Sequence, residues 1–530
     1  MARIANPPVN FESSDTLNLK LTDEAYPNTA TPLDALPSDV RPLFTGNSEN
    51  WKFLAVKNAE TGEIVGTWTT SFDEGLEVRM KDKVLYAFFK YQHSEGCPNP
   101  KDGDSEDSQG HVQCYTSHCG ETQIGWHRTN GDLAPSEMNW GCWMGKKANA
   151  NDEPHSYVMT SGDGKQASYN SRFAEVHNSQ SSRSWTARTY QRFEEATQKE
   201  LMNLIKGTGW TKKRVFDNRR GRQRKVLSPF PLEGSFLQRS ESGVKIEIDA
   251  EGSVHHARHR HRKEDAYACE TGTPESSTTD LPEDFSWVPT RHLHQNANPN
   301  VISESPIANQ GNCGSCYAVA SMYTLTARFQ IALKRAQKDP SSMPALSSQS
   351  VLSCSFYNQG CDGGYPFLVG KHAREIGVPE EQCTQYRATN DVRCSLPAGN
   401  PLSEGQPLDS HCNMWYAKDY GYVGGFYQHC NEEMIMREVM QNGPVIVAVD
   451  APDALYSYSS GILDAEADPH GMLCDSAEGT SFNGWEYTDH AVVIVGWGVD
   501  HMGSKIKLCS SIRISEEERQ LKCLGDVSLA

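Results

Sequence analysis

Residues 309–329, NQGNCGSCYAVASMYTLTARF, set two cysteines two residues apart and then run straight into an apolar pattern of helical period. Such a pair can be half of a metal clip, a disulfide half beside a reactive thiol, or two disulfide halves. A structural zinc site needs a second Cys/His pair at comparable spacing, and none is found. A redox Cys-x-x-Cys follows a strand, whereas SPIANQGN before Cys313 is polar turn. Beyond Cys316, Val319, Met322, Tyr323, Ala327 and Ile331 recur at i, i+3 and i+4, so a helix is expected from about Cys316 to about Ala336. A sulfur at a helix N-terminus faces the positive end of the macrodipole, which favours the nucleophilic thiolate. Cys313 lies outside that helix and lacks this advantage.

The surrounding chain has 530 residues, enough for about three domains. Its 50 basic and 68 acidic residues give a net charge of -18, which argues against nucleic acid or an anionic membrane as the main partner. No apolar run approaches the roughly 20 residues of a bilayer span. The longest, AVVIVGWGV from Ala491, has the length of a buried strand. The opening residues lack the apolar core of a secretory signal. Sixteen cysteines point the other way, to an oxidising compartment and disulfides.

Residues 1–60 are polar and rich in Pro, Asn and Ser, and are expected to be tail or loop. Over 61–160, segments such as GTWTTSFDEGLEVRMKDKVLYAFFKYQ read as short strands joined by tight turns, an all-β module. CPNPKDGDSEDSQGHVQC (97–114) reads as a long surface loop within it. Over 161–280, a stretch of helical spacing containing Phe193, Leu201 and Leu204 gives way to basic blocks, KKRVFDNRRGRQRK and HHARHRHRK. These blocks read as a solvated, protease-accessible linker, because no stacking aromatics interleave the charges as in a nucleic-acid surface. Residues 281–530 are again globular in composition.

NQGNCGSCYAVASM resembles the active-site segment of papain-like cysteine peptidases, and CSFYNQGCDGGYPF (354–367) and TDHAVVIVGWG (488–498) match that family's next two landmarks in order. The resemblance implies a two-lobed α+β peptidase domain in which Cys316 is the nucleophile, Gln310 the oxyanion donor and His490 the general base and acid. It further implies that Gly363 and Gly364 line the substrate subsites. The implied disulfides are Cys313 with Cys361, Cys354 with Cys394, and Cys383 with Cys412. No metal is implied.

Within that family the N-terminal half resembles the cathepsin C branch. GTWTTSFDEGLEVRMKDKVLYAFFKYQ, CGETQIGWHR and NWGCWMGKK look like its β-barrel exclusion domain, and SRSWTARTYQRFE (182–194) like its partly helical propeptide. Tyr317 stands after the nucleophile where most relatives carry Trp. The implied activity is removal of dipeptides from free N-termini of peptides and proteins, by an enzyme made as a zymogen, matured by activating peptidases and assembled as a homotetramer. The implied location is the secretory pathway, in a lysosome- or vacuole-like compartment or outside the cell. Maturation cuts are expected in the basic linker over 211–263 and within LDAEADPHGMLCDSAEG (463–479). DYGYVGGFYQHCNEEMIMREVMQNGP (419–444) resembles the branch's chloride segment, with Tyr365, Phe367 and Tyr422 at the ion's positions. Phe367 stands where a second hydroxyl is expected.

Two features depart from the pattern. No Asn or Trp follows Trp497, so the Asn that orients the family's histidine has no counterpart, and the tail from 499 is expected to lack closing strands. No counterpart of the branch's N-terminal amine-binding Asp is found either. Cys119 and Cys142 resemble disulfide halves of that domain, with Cys97 or Cys114 as substitute partners. The alternative is therefore a catalytically disabled papain-like scaffold or binding protein.

Overall fold

The structure, a computed structural model, describes residues 16–27, 51–71, 74–93, 112–131, 134, 137–148, 155–161, 172–180, 185–197, 200–201, 210–214, 247–248, 254–255, 281–289, 297–302 and 309–398. It also describes 400–463 with short omissions, 490–499, 505–510 and 521–523. Most of the 97–114 insert, nearly all of the basic linker and all but Leu463 of the second expected cleavage segment lie outside the described residues.

Nine strands come first: β1 (Leu19–Pro27), β2 (Lys52–Asn58), β3 (Ile64–Ser71), β4 (Gly75–Met80), β5 (Lys83–His93), β6 (Val112–Thr122), β7 (Gly125–Thr129), β8 (Trp140–Trp143) and β9 (His155–Ser161). After β10 (Trp185–Ala187), which pairs elsewhere, β11 (Trp210–Arg214) adds to β9. All ten strands of this sheet pair antiparallel, in the order β1-β2-β3-β4-β5-β6-β9-β11, with β7 and β8 branching from β5. The branch arises because one edge of β5 serves β7 over Lys83–Tyr86 and β6 over Phe89–His93. The expected β module is present, but it is not a closed barrel: among the described residues no pairing joins β1 to the far end of the ladder.

The loop expected over residues 1–60 is corrected by β1 and β2. Trp51, Phe53, Leu54, Ala55 and Val56 are all buried, so both faces of this strand are covered and the period-two alternation that marks a half-exposed strand is missing. The helical reading beyond 170 holds in part. Among the described residues α1 (Phe173–Asn178) and α2 (Gln191–Glu194) form and Glu200 and Leu201 are helical. Between α1 and α2 the helical spacing is interrupted by β10, because Trp185 and Ala187 are drawn into antiparallel pairing with β18 (Tyr458–Gly461). That segment shares a core with the peptidase half, where Trp185, Phe193 and Leu201 pack with Leu455, Tyr456 and Tyr458. A short pair, β12 (Glu247–Ile248) with β13 (Val254–His255), precedes the peptidase half.

The peptidase half has a helical lobe and a sheet lobe. The first carries α3 (Cys316–Arg335), α4 (Ser348–Cys354) and α5 (Pro366–Glu375) around Tyr317, Met322, Leu346, Val351 and Val369. The expected span of α3 is met to within one residue. Ser347 caps α4 by accepting from the Ser350 amide, and Pro366 opens α5, where its missing N–H costs nothing. Three disulfides knit this lobe, Cys313–Cys361, Cys354–Cys394 and Cys383–Cys412, with Cα separations of 4.6, 4.8 and 6.1 Å. They are the three pairs implied by the resemblance. A small pair, β15 (Val378–Pro379) with β16 (Met414–Trp415), closes its edge.

In the sheet lobe, β14 (Phe285–Ser286), β17 (Val445–Val449) and β20 (Lys505–Ser510) all pair with β19 (His490–Val499), and β21 (Leu521–Cys523) adds to β20. α6 (Glu432–Asn442), capped by Asn431, packs Ile435 and Val439 onto Val445, Val447, Val492 and Ile494. The strandless tail expected after residue 499 is thus corrected. The missed signal is KIKLCS itself, whose Lys-Ile-Lys-Leu alternation is strand-like. Among the described residues no helix is long and apolar enough to cross a membrane.

Candidate active site

Cys316 is the first residue of α3, and Ser315 is its N-cap. The loop before it is held at several points. The Cys313–Cys361 disulfide and the Gly314 N–H donated to the Cys361 carbonyl (2.9 Å) tie it to the Gly-rich segment. Gln310 is fully buried and its Nε2 donates to the Cys313 carbonyl (3.0 Å), which fixes the plane of the amide assigned to the oxyanion. The Tyr386 hydroxyl donates to the Gln310 carbonyl (2.8 Å) and meets the Ser315 hydroxyl. Tyr386 thus braces the loop against the cap of the nucleophile's helix, a role no local sequence signal announces.

Cys316 is in no disulfide and is buried, packing with Val288, Val319, Ala491 and Val493. Ala491 follows His490, so the helix bearing the thiol and the strand bearing the imidazole meet in one cluster. His490 opens β19 opposite Val449 and is only 2% exposed. Burial lowers its pKa to about 4, so the ring is neutral at pH 7. Neither ring nitrogen has a hydrogen-bond partner among the described residues, so nothing described fixes the imidazole's tautomer or plane.

Gly363 has φ 110°, a conformation open to glycine and strained for other residues. Gly364 is required for a different reason: a Cβ there would stand 2.6 Å from the Tyr317 ring and 2.5 Å from Asn358 Oδ1. Tyr317, whose hydroxyl donates to the Gly360 carbonyl (2.9 Å), therefore lies directly against Gly364.

The three residues placed by resemblance at a chloride ion make a poor anion cradle. The Tyr365 N–H is donated to Asn358 Oδ1 (2.8 Å) and its hydroxyl to Glu74 Oε1 (3.2 Å). The Phe367 side chain offers no donor and stacks flat on the Tyr422 ring, 4.7 Å between centroids. The pocket that Phe367 and Tyr422 line also takes in Glu77 and Arg79, which are paired with one another. This donor set does not fit the ion, and no step is assigned to it. Cys142, placed by resemblance in a disulfide, is exposed and in none.

Unforeseen in the sequence is a buried ionic network between the β module and the helical lobe. Lys371 on α5 donates to Glu375 Oε1 (2.7 Å) and lies 3.4 Å from Glu77 Oε2 on β4. Arg128 on β7 donates to Glu375 (2.6 Å), and Arg79 on β4 to Glu77 (2.8 Å) and Asp419 (3.0 Å). Burial pushes the Glu77 carboxyl up, but Lys371 and Arg79 outweigh it and hold the pKa at about 2. Burial acts likewise on Glu375, and Lys371 and Arg128 again leave it lowered.

Two buried histidines give a pH prediction. His372, fully buried on α5, has no hydrogen-bond partner at either ring nitrogen among the described residues, and burial lowers its pKa, like that of His490, to about 4. A folded-state pKa below the unfolded value of about 6.5 means that the unfolded chain takes up the proton first as pH falls. Stability is expected to be full above that value and to be lost between pH 6.5 and 4, by about 3 kcal/mol per histidine at most. Urea unfolding at several pH values checks this, and His372→Leu should remove about half of the slope. A flat profile across that window would contradict both assignments.

Residues 294–510 match the family model for papain family cysteine proteases, and residues 50–147 that for the cathepsin C exclusion domain. Dipeptidyl aminopeptidase 1 of Plasmodium falciparum is 27% identical, the match covering 86% of this chain and 75% of that protein. Cathepsin C of Schistosoma mansoni is 33% identical, over 43% of this chain and 44% of its own length. Among solved structures, proCathepsin B S9 from Trypanosoma congolense aligns at a TM-score of 0.38 and 16% identity, covering 68% of this chain and 94% of that one. The two family matches fall on the two halves that the ionic network joins, and this protein belongs to the papain family of cysteine proteases, among the members that carry a cathepsin C exclusion domain.

Proposed function

We propose that this cysteine peptidase is a dipeptidyl-peptidase, removing dipeptides from free N-termini of peptides and proteins. The observation that supports the reading is the packing of α3 on β19, where Cys316 at the helix N-terminus shares a buried cluster with Ala491, the residue next to His490 at the strand start. In the proposed mechanism His490 takes the thiol proton and the Cys316 sulfur attacks the scissile carbonyl carbon. The tetrahedral oxyanion is received by the Gln310 side-chain amide and the Cys316 backbone N–H. Collapse expels the amine, which leaves with the proton held by His490. Water, deprotonated by the same imidazole, then splits the thioester and restores the thiol. Gly363 and Gly364 offer backbone to a substrate strand, and the β module limits how far the substrate's N-terminus extends.

A zymogen is part of the proposal, since α1, β10 and α2 share a core with β18 and a cut in the basic linker would separate them from the peptidase half. Activating peptidases, a secretory or lysosome-like compartment and a homotetramer enter by likeness to the branch. Chloride is left out, because the Tyr365 N–H and hydroxyl are both donated to protein oxygens and the Phe367 side chain carries no donor.

The test is release of dipeptide from a dipeptidyl amide with a free amine, run beside its N-acetylated form. Cleavage of the free form only is expected; equal cleavage of both rules out the exopeptidase reading. The second reading, a disabled scaffold, is favoured by one observation, the lack of any described partner on the His490 ring. Failure to cleave either substrate after the linker is cut would support it.

A further inference from the structure

The network around Lys371 is a buried polar feature that the proposed chemistry does not use. β4, β5 and β7 turn one face toward the helical lobe in two cross-strand rows. Glu77, Tyr86 and Trp126 are direct neighbours in one row, and Arg79, Val84 and Arg128 in the next. Opposite the first row stand Lys371, Tyr357 and Phe356; opposite the second, Asp419 and Glu375. Lys371 is the hub. Besides Glu77 and Glu375 it meets the rings of Tyr86, Tyr357 and Tyr420 at 5.4, 5.4 and 5.7 Å, and the Tyr420 hydroxyl donates to Glu77 Oε2 (2.6 Å). The Tyr357 hydroxyl closes the other side on Glu375 Oε2 (2.6 Å).

Three cations, Arg79, Lys371 and Arg128, thus face three carboxylates, Glu77, Glu375 and Asp419, drawn from both halves. An apolar interface of the same size tolerates sliding, because burial has no direction. A buried array of alternating charges does not, since a shift of a few ångströms leaves ions without partners in a dry site. The array also lies at a fixed distance from the proposed substrate cleft. α5, which carries Lys371 and Glu375, follows directly from Gly363, Gly364 and Tyr365, and Tyr365 reaches Glu74, the residue before β4.

We propose that Lys371 and its charged partners are positioning residues, a clasp that holds the β module in a single register along α5 and so sets the length of substrate N-terminus that the cleft admits. This deepens the dipeptidyl-peptidase reading and rests on it. The test compares the unaltered protein, Lys371→Met, Arg128→Met and the conservative Lys371→Arg on a free and an N-acetylated peptide amide. In the two Met variants the preference for the free amine should fall about tenfold or more, with KM for the free substrate rising and kcat largely kept, and Lys371→Arg should restore part of it. A folded Lys371→Met protein with the unaltered preference overturns the clasp alone. Equal cleavage of both substrates by the unaltered protein overturns the dipeptidyl reading and the clasp with it. Should the Met variants not accumulate, hydrogen exchange on the unaltered protein reads the same claim. Amides of Gly75–Met80 and Pro366–Glu375 opening as one unit support it, whereas β4 exchanging about tenfold faster than α5 overturns it.

Discussion

Replacing Cys316 by Ala is expected to lower peptide hydrolysis by at least about a thousandfold while the protein still folds. The side chain is small and stands at the edge of a cluster whose remaining members are aliphatic, so loss of one sulfur leaves the packing of α3 on β19 nearly intact. Cys313→Ala makes the contrast. It breaks the bond to Cys361 that closes a 48-residue span, which costs about 4 kcal/mol in the chain-entropy account of disulfides. That variant should lose stability first and activity only as the loop carrying Gln310 loosens. Steady-state hydrolysis with urea unfolding separates the two cysteines. Activity within tenfold of the unaltered protein in Cys316→Ala would remove it as the nucleophile.

Arg128→Met is expected to destabilise the protein by about 3–5 kcal/mol, the range for removing one partner of a buried ion pair. Arg128 and Glu375 are almost wholly buried at 2.6 Å, and without the guanidinium Glu375 keeps its charge opposed by Lys371 alone. The double variant Arg128→Met with Glu375→Gln should cost less than the sum of the two singles, because the second change removes the stranded anion. Lys146→Met, which removes an exposed ion pair with Glu121, should leave the unfolding curve in place. The urea midpoint reads all three, and equal effects from Arg128 and Lys146 would show that the network contributes no more than a surface pair.

The local signals in the chain settled a good deal. The helical spacing after Cys316 places α3 and the thiol at its N-terminus, because an amphipathic stripe depends only on which residues recur every third or fourth position. The apolar run after His490 similarly reads as one buried strand, and the ordered motifs imply the three disulfides. A strand with both faces covered lacks the period-two signal, and so β2 reads as loop from its sequence, whereas β20 carries its alternation openly in KIKLCS.

Tertiary structure alone decided the rest. Glu77 and Arg79 in GLEVRM look like the solvated positions of a hairpin, and Lys371 and Glu375 like an ordinary i, i+4 pair on a helix surface. Their burial against one another, across nearly 300 residues of chain, follows from how two separately folded faces dock. Tyr386 owes its place beside Gln310 and Ser315 to the same cause. Periodicity along a chain reports which residues share a face, but which face meets it, and so which charges are paired rather than solvated, is fixed only when distant segments come together.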